Sequence, residues 1–175
     1  YADEIVTFLG KLPATVLGEL VSSFPFVIEQ TQRHAWTVQI QQLQQTLQPY
    51  AGRGKVYFEY DVPRMGKRID VLLLIEQVIF IIEYKVGETE FPAQAIAQVW
   101  DYALDLKNFH ESSHDKTLVP ILVSTQASKN MGALETDLFH DGIYRPICTH
   151  PAGLGEWIRN ALDFCDGEHI DAANW

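Results

Sequence analysis

The sequence predicts one α/β domain of the α+β type, with a mixed central sheet of about five strands flanked by helices. Its 175 residues, of which 47% are apolar and 21% charged, are enough for a single domain with a full core. Helical stretches flank a run of short β-branched and aromatic segments, two of which are apolar at nearly every position. Strands of that kind are covered on both faces, so the element order favours a sheet between helices.

Helical periodicity opens the chain. Residues 3–22 are expected to be helical, with a break near Pro13. Residues 31–47 repeat apolar side chains every three to four positions, from Trp36 to Leu47, which is the pattern of one buried helix stripe.

The pattern then changes to the two-residue period of strands. Segments 56–60, 69–75 and 78–84 are predicted strands. Pro92 opens a second amphipathic helix that extends to about residue 107. The remaining expected elements are strands at 118–124 and 144–149 and a closing helix at 154–165.

Composition limits the classes of function. Thirteen basic residues against 23 acidic ones give a formal net charge of -10, so the surface as a whole repels phosphate polymers and any nucleic-acid site must be local. Cys148 and Cys165 are too few for a disulfide framework or a four-thiolate zinc site, which favours a reducing cytoplasm. The aliphatic stretches are far shorter than the roughly 20 apolar residues of a membrane helix, so no membrane partner is expected.

Two carboxylates on neighbouring predicted strands are the most informative feature. If 69–75 and 78–84 form a hairpin that turns at Glu76-Gln77, Asp70 lies directly opposite Glu83. Because Glu76-Gln77 lacks the glycine or asparagine of a two-residue primed turn, a four-residue turn with the same register is expected. Opposed carboxylates in an apolar sheet repel each other, and a hard divalent cation such as Mg²⁺ would offset that repulsion.

These residues and a downstream helix resemble the PD-(D/E)XK nuclease superfamily. Ile69-Asp70 and Glu83-Tyr84-Lys85 match its acid and its Glu-x-Lys, and residues 98–102, with Gln98 and Tyr102, match the Gln-x-x-x-Tyr of its RecB-like branch. The likeness spans about residues 30–125, and the family's Pro-Asp is Ile-Asp here. More narrowly, the chain is similar to the nuclease-type domain that precedes a Schlafen-type helicase in certain bacterial proteins.

The resemblance implies a restriction-endonuclease-like core in which residues 1–175 form one nuclease-like domain of a longer chain, with a helicase domain as a neighbour. It implies hydrolysis of phosphodiester bonds in DNA, with RNA less favoured, in repair or phage defence. Mg²⁺ or Mn²⁺ would be held by Asp70, Glu83 and the backbone carbonyl of Tyr84. Gln98 would lie near the metal-bound water and Tyr102 near the phosphate.

Lys85 and Glu59 are further candidates beside the two acids. Strand periodicity places Lys85 on the same face as Glu83. Neighbouring carboxylates favour its charged form, so we expect Lys85 to orient the attacking water and stabilise charge on the phosphorane rather than to abstract a proton. The alternative interpretation is that Lys85 serves only as a charge partner for Glu83. Glu59 interrupts segment 56–60 and is a candidate additional metal ligand, although its register stays open.

A short basic stretch is the candidate nucleic-acid contact. Five of the thirteen basic residues lie between positions 53 and 68. Arg64, Lys67 and Arg68 are the residues we expect to contact phosphates, and a solvated loop is the alternative.

Two other functions stay open. The domain could be a catalytically silent nucleic-acid-binding or protein-interaction module of the same fold. His110, Glu111 and His114 also match the His-Glu-x-x-His pattern of zinc metalloproteases, which requires both histidines on one face of a helix. The polar residues around them favour a loop instead.

Overall fold

The computed structural model describes residues 1–63, 65–137 and 142–175. Its described part is a mixed sheet of six strands in the order β1-β2-β3-β4-β5-β6, with helices on both faces. The strands are β1 (Ala2–Glu4), β2 (Gly54–Val62), β3 (Lys67–Ile75), β4 (Val78–Lys85), β5 (Thr117–Ser124) and β6 (Ile147–Thr149). The helices are α1 (Ile5–Gly10), α2 (Pro13–Ser22), α3 (Gln30–Thr46), α4 (Ala93–Phe109) and α5 (Pro151–Phe164).

The predicted mixed sheet between helices is confirmed, with one more strand than expected. Residues 3 and 4, predicted as the start of the first helix, instead pair with β2 as part of the short edge strand 2–4. The predicted break near Pro13 is present, because α2 begins at that proline and α1 ends at Gly10. The last predicted strand is shorter than expected and covers only Ile147–Thr149.

Strand direction changes at the centre of the sheet. Strands β1 to β4 are antiparallel neighbours, whereas β5 pairs parallel to both β4 and β6. The parallel step from β4 to β5 requires a crossover, and α4 lies in that connection. Residues 78–84 of β4 are all buried, as expected for a strand covered on both faces.

Each face of the sheet has its own core. On one face, α1, α2, α3 and α5 pack against alternate strand residues, including Val71 and Phe80. On the other face, α4 packs its buried Val99 and Ala103 against residues such as Ile81. Helices α3 and α4 therefore lie on opposite sides of β3 and β4.

The turn between β3 and β4 corrects the sequence-based expectation. Ile75 pairs with Val78, so Glu76 and Gln77 form a two-residue turn rather than a four-residue one. Glu76 adopts a φ of 53°, a conformation that a non-glycine residue rarely takes. Long-range contacts hold it there: the Arg53 guanidinium lies 2.6 Å from the Glu76 carboxylate, and the Gln77 amide donates to main-chain carbonyls at the end of α5.

In the described part of the chain, no helix is long and apolar enough to cross a membrane.

Candidate active site

Strands β3 and β4 separate at the two carboxylates. Their pairing runs from the turn up to Val71 and Ile82, which is the predicted register, and ends there. Asp70 and Glu83 are the next residues on each strand and face each other beyond the last pair. Asp70 uses its side chain in place of a ladder bond, because its Oδ2 accepts a hydrogen bond of 2.9 Å from the backbone N–H of Tyr84.

A pocket of about 500 Å³ opens at this separation. Its floor consists of four residues from β3 and β4, namely Asp70, Glu83, Tyr84 and Lys85. Helix α3 and the segment after β4 supply the walls, through Thr31, Gln32, His34, Ala35, Gln39, Val86 and Glu88. The two carboxylates therefore lie at the base of an open cleft.

Glu83 is buried and is only 3% exposed. Its Oε1 accepts a hydrogen bond of 2.7 Å from Lys85 Nζ, while its buried Oε2 has no hydrogen-bond partner among the described residues. Burial raises the pKa of Glu83, and the Lys85 ammonium only partly opposes that rise. One oxygen of this carboxylate thus lacks the compensation that a buried charge needs.

The pKa of Asp70 is raised as well. Burial raises the pKa of Asp70 well above its usual range, and the neighbouring Glu83 raises it further. The hydrogen bond from the Tyr84 N–H acts in the opposite direction. Both carboxyl groups therefore retain a proton to higher pH than an exposed carboxyl group does.

The donor set fits a hard divalent cation. Carboxylate oxygens are the ligands that Mg²⁺ prefers, and one of them here is buried and unpartnered. Among residues 1–63, 65–137 and 142–175, no group of three or more His, Cys, Asp or Glu is placed to hold a metal ion. Two carboxylates suit Mg²⁺ or Mn²⁺, which retain several waters, better than zinc, which takes three or four protein ligands.

Hydrogen bonds connect the lysine to helix α4. Lys85 Nζ lies 3.4 Å from Gln98 Oε1, and Gln98 Nε2 donates to the Tyr102 hydroxyl at 2.7 Å. Tyr102 is buried, and burial raises its pKa. The predicted placement of Lys85 beside Glu83 is confirmed, and the spacing of four residues on α4 places Tyr102 within hydrogen-bond distance of Gln98.

Tyr84 contributes little through its side chain. Its ring lies in the core beneath α3, on the face opposite Lys85, as strand alternation predicts. That its backbone carbonyl binds a metal ion stays a prediction.

Glu59 faces Asp70 on the neighbouring strand but has a different set of contacts. The flanking pairs, Phe58 with Val71 and Tyr60 with Ile69, place it opposite Asp70, yet it adopts a φ of 52° and forms no regular pair.

The Glu59 carboxylate points to α3. Its Oε1 accepts a hydrogen bond of 2.7 Å from Trp36 Nε1, and its Oε2 lies 3.6 Å from Arg68 Nη1. These contacts engage both oxygens, so Glu59 braces α3 against the sheet.

The predicted phosphate-binding cations are largely neutralised. Lys67 Nζ lies 2.8 Å from Asp105 Oδ2, and Arg68 Nε lies 3.0 Å from Asp61 Oδ1. Arg64 lies outside the described residues. The local positive potential expected from the basic stretch is therefore reduced.

The zinc-protease pattern does not form the helix that it needs. His110 is the residue that ends α4, and Glu111–Ser113 form a single 3-10 turn. His110 Nδ1 lies 2.8 Å from Ser113 Oγ, and burial lowers the pKa of His110. His110 and His114 are thus not on one face of an α-helix, and the pattern has no structural support here.

Sequence reasoning missed the contribution of α3 to the pocket. Gln39 is the main case, because it is only 3% exposed and its Oε1 has no partner among the described residues. One signal was available: Gln39 lies three positions after Trp36, so it is a polar residue on the buried stripe of α3.

Compared with known proteins, the chain matches no family model and no curated sequence.

Proposed function

We propose that this domain is a Mg²⁺- or Mn²⁺-dependent nuclease that hydrolyses phosphodiester bonds, with DNA as the favoured substrate. The main support is the facing pair Asp70 and Glu83 at the base of an open pocket, with one buried carboxylate oxygen left unpartnered. A lysine 2.7 Å from Glu83 adds a cation at the same point. The resemblance to the PD-(D/E)XK superfamily supports the same assignment.

In this proposal Asp70 and Glu83 hold the metal. Such an ion, when bound, supplies a water of lowered pKa and neutralises negative charge on the phosphate. Because the pKa of each acid is raised and metal ligands must be deprotonated, metal affinity should increase as the pH rises.

In this proposal Lys85 orients the reacting groups and stabilises negative charge on the phosphate. An ammonium has three donors, and Glu83 and Gln98 engage two of them. The remaining donor is available for a non-bridging oxygen of the scissile phosphate, where negative charge develops. Gln98 contacts the ammonium from α4 and is itself held by its hydrogen bond to Tyr102.

The test is a cleavage assay on labelled single-stranded, duplex and flapped DNA and on RNA, with Mg²⁺, Mn²⁺ or EDTA. We expect cleavage only with a divalent ion, and a loss of about 100-fold or more in Asp70→Asn and in Lys85→Ala. Lys129→Ala, at an exposed position that does not line the pocket, is the matched control and should cleave at the wild-type rate.

Two results would refute the assignment. One is the absence of cleavage of every substrate with either ion. The other is cleavage that survives in Asp70→Asn.

One observation favours a catalytically silent module of the same fold as the second candidate. Lys85 already forms a short ion pair with Glu83, as a purely structural pair would. That function predicts oligonucleotide or protein binding with no turnover, which the same assay detects. A helicase domain in the same chain and a cytoplasmic location remain proposals that rest on the resemblance and on the cysteine content.

A further inference from the structure

An exposed aromatic residue lies on the segment that joins α2 to α3. Phe26 is 59% exposed, and the next residue, Val27, is 89% exposed. The Phe26 ring packs edge-on against Phe24 at 5.5 Å, and Phe24 stacks on Trp36 at 5.4 Å and 28°. Phe26, Phe24 and Trp36 form an aromatic row that extends from solvent to the buried side of α3.

The aromatic row contacts helix α3, which forms one wall of the pocket, and strand β3. Trp36 lies one helical turn after Gln32, which lines the pocket and whose amide lies 3.4 Å from the same Glu59 oxygen that Trp36 contacts. On the sheet side, the Arg68 guanidinium lies 4.8 Å from the Phe24 ring centroid, and Arg68 is two residues before Asp70. The inner part of the aromatic row, Trp36 and Phe24, therefore lies next to elements that form the cleft, and Phe26 extends the row from there into solvent.

The charges around the pocket disfavour a substrate held by its backbone alone. Duplex binding depends on several cations that contact phosphates. Here Lys67 and Arg68 are each ion-paired with acidic residues, and the chain carries a net charge of -10. Stacking of a base on an aromatic ring needs no such cations, but it does need a base whose face is not covered by a neighbour in a duplex.

We propose that the exposed end of the aromatic row, Phe26, is a stacking subsite for an unpaired nucleobase, so that the strand entering the pocket is single-stranded. This inference rests on the proposed nuclease function, because it assigns the substrate of that same site. Phe24 packs edge-on against the Phe26 ring, and Arg68 in turn lies over the Phe24 ring.

The test measures binding without cleavage. Fluorescein-labelled oligo(dT) and a duplex of the same length are titrated with the protein in EDTA. Phe26→Ala should weaken binding of the single strand by about five- to tenfold and leave duplex binding unchanged within about twofold. Phe26→Tyr retains a stacking ring and should bind like the wild type.

Phe164→Ala is the matched control. Phe164 is similarly exposed, at 63%, and packs against Tyr144 at the end of α5 rather than beside the pocket. It should not change binding. Thermal melts of all variants show whether each one is folded. If Phe26→Ala is not folded, Phe26→Tyr keeps the test informative.

The results separate this inference from the proposed function. Three results would overturn the subsite. The first is equal binding of oligo(dT) by Phe26→Ala and the wild type, and the second is a loss of affinity in Phe26→Ala that is the same for duplex and single strand. The third is an absence of single-strand binding. Cleavage with Mn²⁺ is measured on the same preparations. Cleavage with no dependence on Phe26 would leave the nuclease intact without the subsite, whereas Phe26-dependent binding without any cleavage would refute the nuclease and retain the subsite.

Discussion

Asp70 and Glu83 combine two unfavourable properties, burial and mutual repulsion. Both raise the pKa of Asp70, and burial raises the pKa of Glu83. A sheet built only for stability would place apolar side chains at these positions, since an uncompensated buried charge is costly. The pair therefore makes stability depend on pH and on added cations.

Asp70→Asn should change that pH dependence. A carboxyl whose pKa is raised on folding contributes stability that is present below its unfolded pKa of about 4 and is lost as pH rises through the folded pKa. Wild-type protein without metal should thus lose stability between about pH 4 and the raised pKa, and the variant should lose less, because only Glu83 still titrates. The Asn oxygen can still accept from the Tyr84 N–H.

Thermal melts at acidic and mildly alkaline pH measure this effect. The melting temperature of Asp70→Asn should match the wild type near pH 4 and equal or exceed it near pH 8. Added Mg²⁺ should raise the melting temperature of the wild type and have no such effect on the variant. A large loss of stability in the variant near pH 8 would instead make Asp70 a structural residue.

Glu59 variants distinguish a bracing residue from a metal ligand. Glu59→Ala removes the acceptor for the Trp36 N–H and should lower the free energy of unfolding by about 1–3 kcal/mol. Glu59→Gln keeps an oxygen acceptor and should cleave within about threefold of the wild type, since removal of a true metal ligand would have an effect nearer 100-fold. Urea denaturation and initial cleavage rates provide the two measurements, and a 100-fold loss in Glu59→Gln would return Glu59 to the metal site.

The separation of two strands creates the site at the scale of secondary-structure elements. Residues 71–75 of β3 pair with β4, whereas β4 continues past Ile82 as a partner of β5 alone. The gap that results is where helix α3 approaches from one face and α4 from the other. The position of the pocket therefore depends on the pairing of β2 with β3, which holds β3 away from β4.

Gly54→Ala should disrupt that pairing. Gly54 begins β2 with a φ of 155°, and a Cβ at this position would lie 1.8 Å from the backbone oxygen of Leu74 on β3. Because the obstacle is backbone, we expect a loss of roughly 2–5 kcal/mol in the free energy of unfolding.

Gly155→Ala is the matched control for Gly54→Ala, because it adds a Cβ where there is room for one. A Cβ at Gly155, inside α5, would make only an ordinary contact of 3.7 Å with Thr46 Cγ2. That change should stabilise the protein by about 0.5–1 kcal/mol through helix propensity. Urea unfolding of both variants tests the pair, and a Gly54→Ala protein as stable as the wild type would contradict the close approach of β2 to β3.

For the molecule as a whole, net charge sets how nucleic acid can be held. A chain with a charge of -10 and ion-paired cations next to the pocket has few groups that release counterions on binding.

The salt dependence of oligo(dT) binding in EDTA should therefore be shallow. With one to three phosphate contacts, the slope of log K against log salt should be no steeper than about -2, since each contact contributes about -0.7 for a single strand. Titrations between about 50 and 200 mM salt measure it. A slope of about -4 or steeper would show that backbone contacts dominate and that the ion pairs of Lys67 and Arg68 open on binding.

The part of the site on β3, β4 and α4 was predictable because it depends on local periods. Alternation along residues 69–84 places Glu83 and Lys85 on one face, and the spacing from Gln98 to Tyr102 places both on one helix face. The turn length was not predictable, because contacts from Arg53 and from α5 hold Glu76 in a conformation that its own sequence disfavours.

The contributions of β2, α3 and the N-terminal residues depend on distant partners. Residues 2–4 have a helix-like neighbourhood in sequence but find an open edge on β2. The turning of Glu59 towards Trp36 and the burial of Gln39 at the pocket both follow from how α3 packs on the sheet. No local pattern contains that packing, because it joins residues far apart in the chain.

The sequence by itself determined the mixed sheet, the register that brings Asp70 to Glu83, and the lysine and the helix residues beside them, since strand and helix periods require only the order of side chains. Only the tertiary structure decided that β3 and β4 part at those acids, that α3 forms a wall of the pocket, that Glu59 contacts Trp36 on α3, and that the basic residues pair with acids. Those outcomes depend on which surfaces meet when the chain closes, and that is settled by long-range packing and charge.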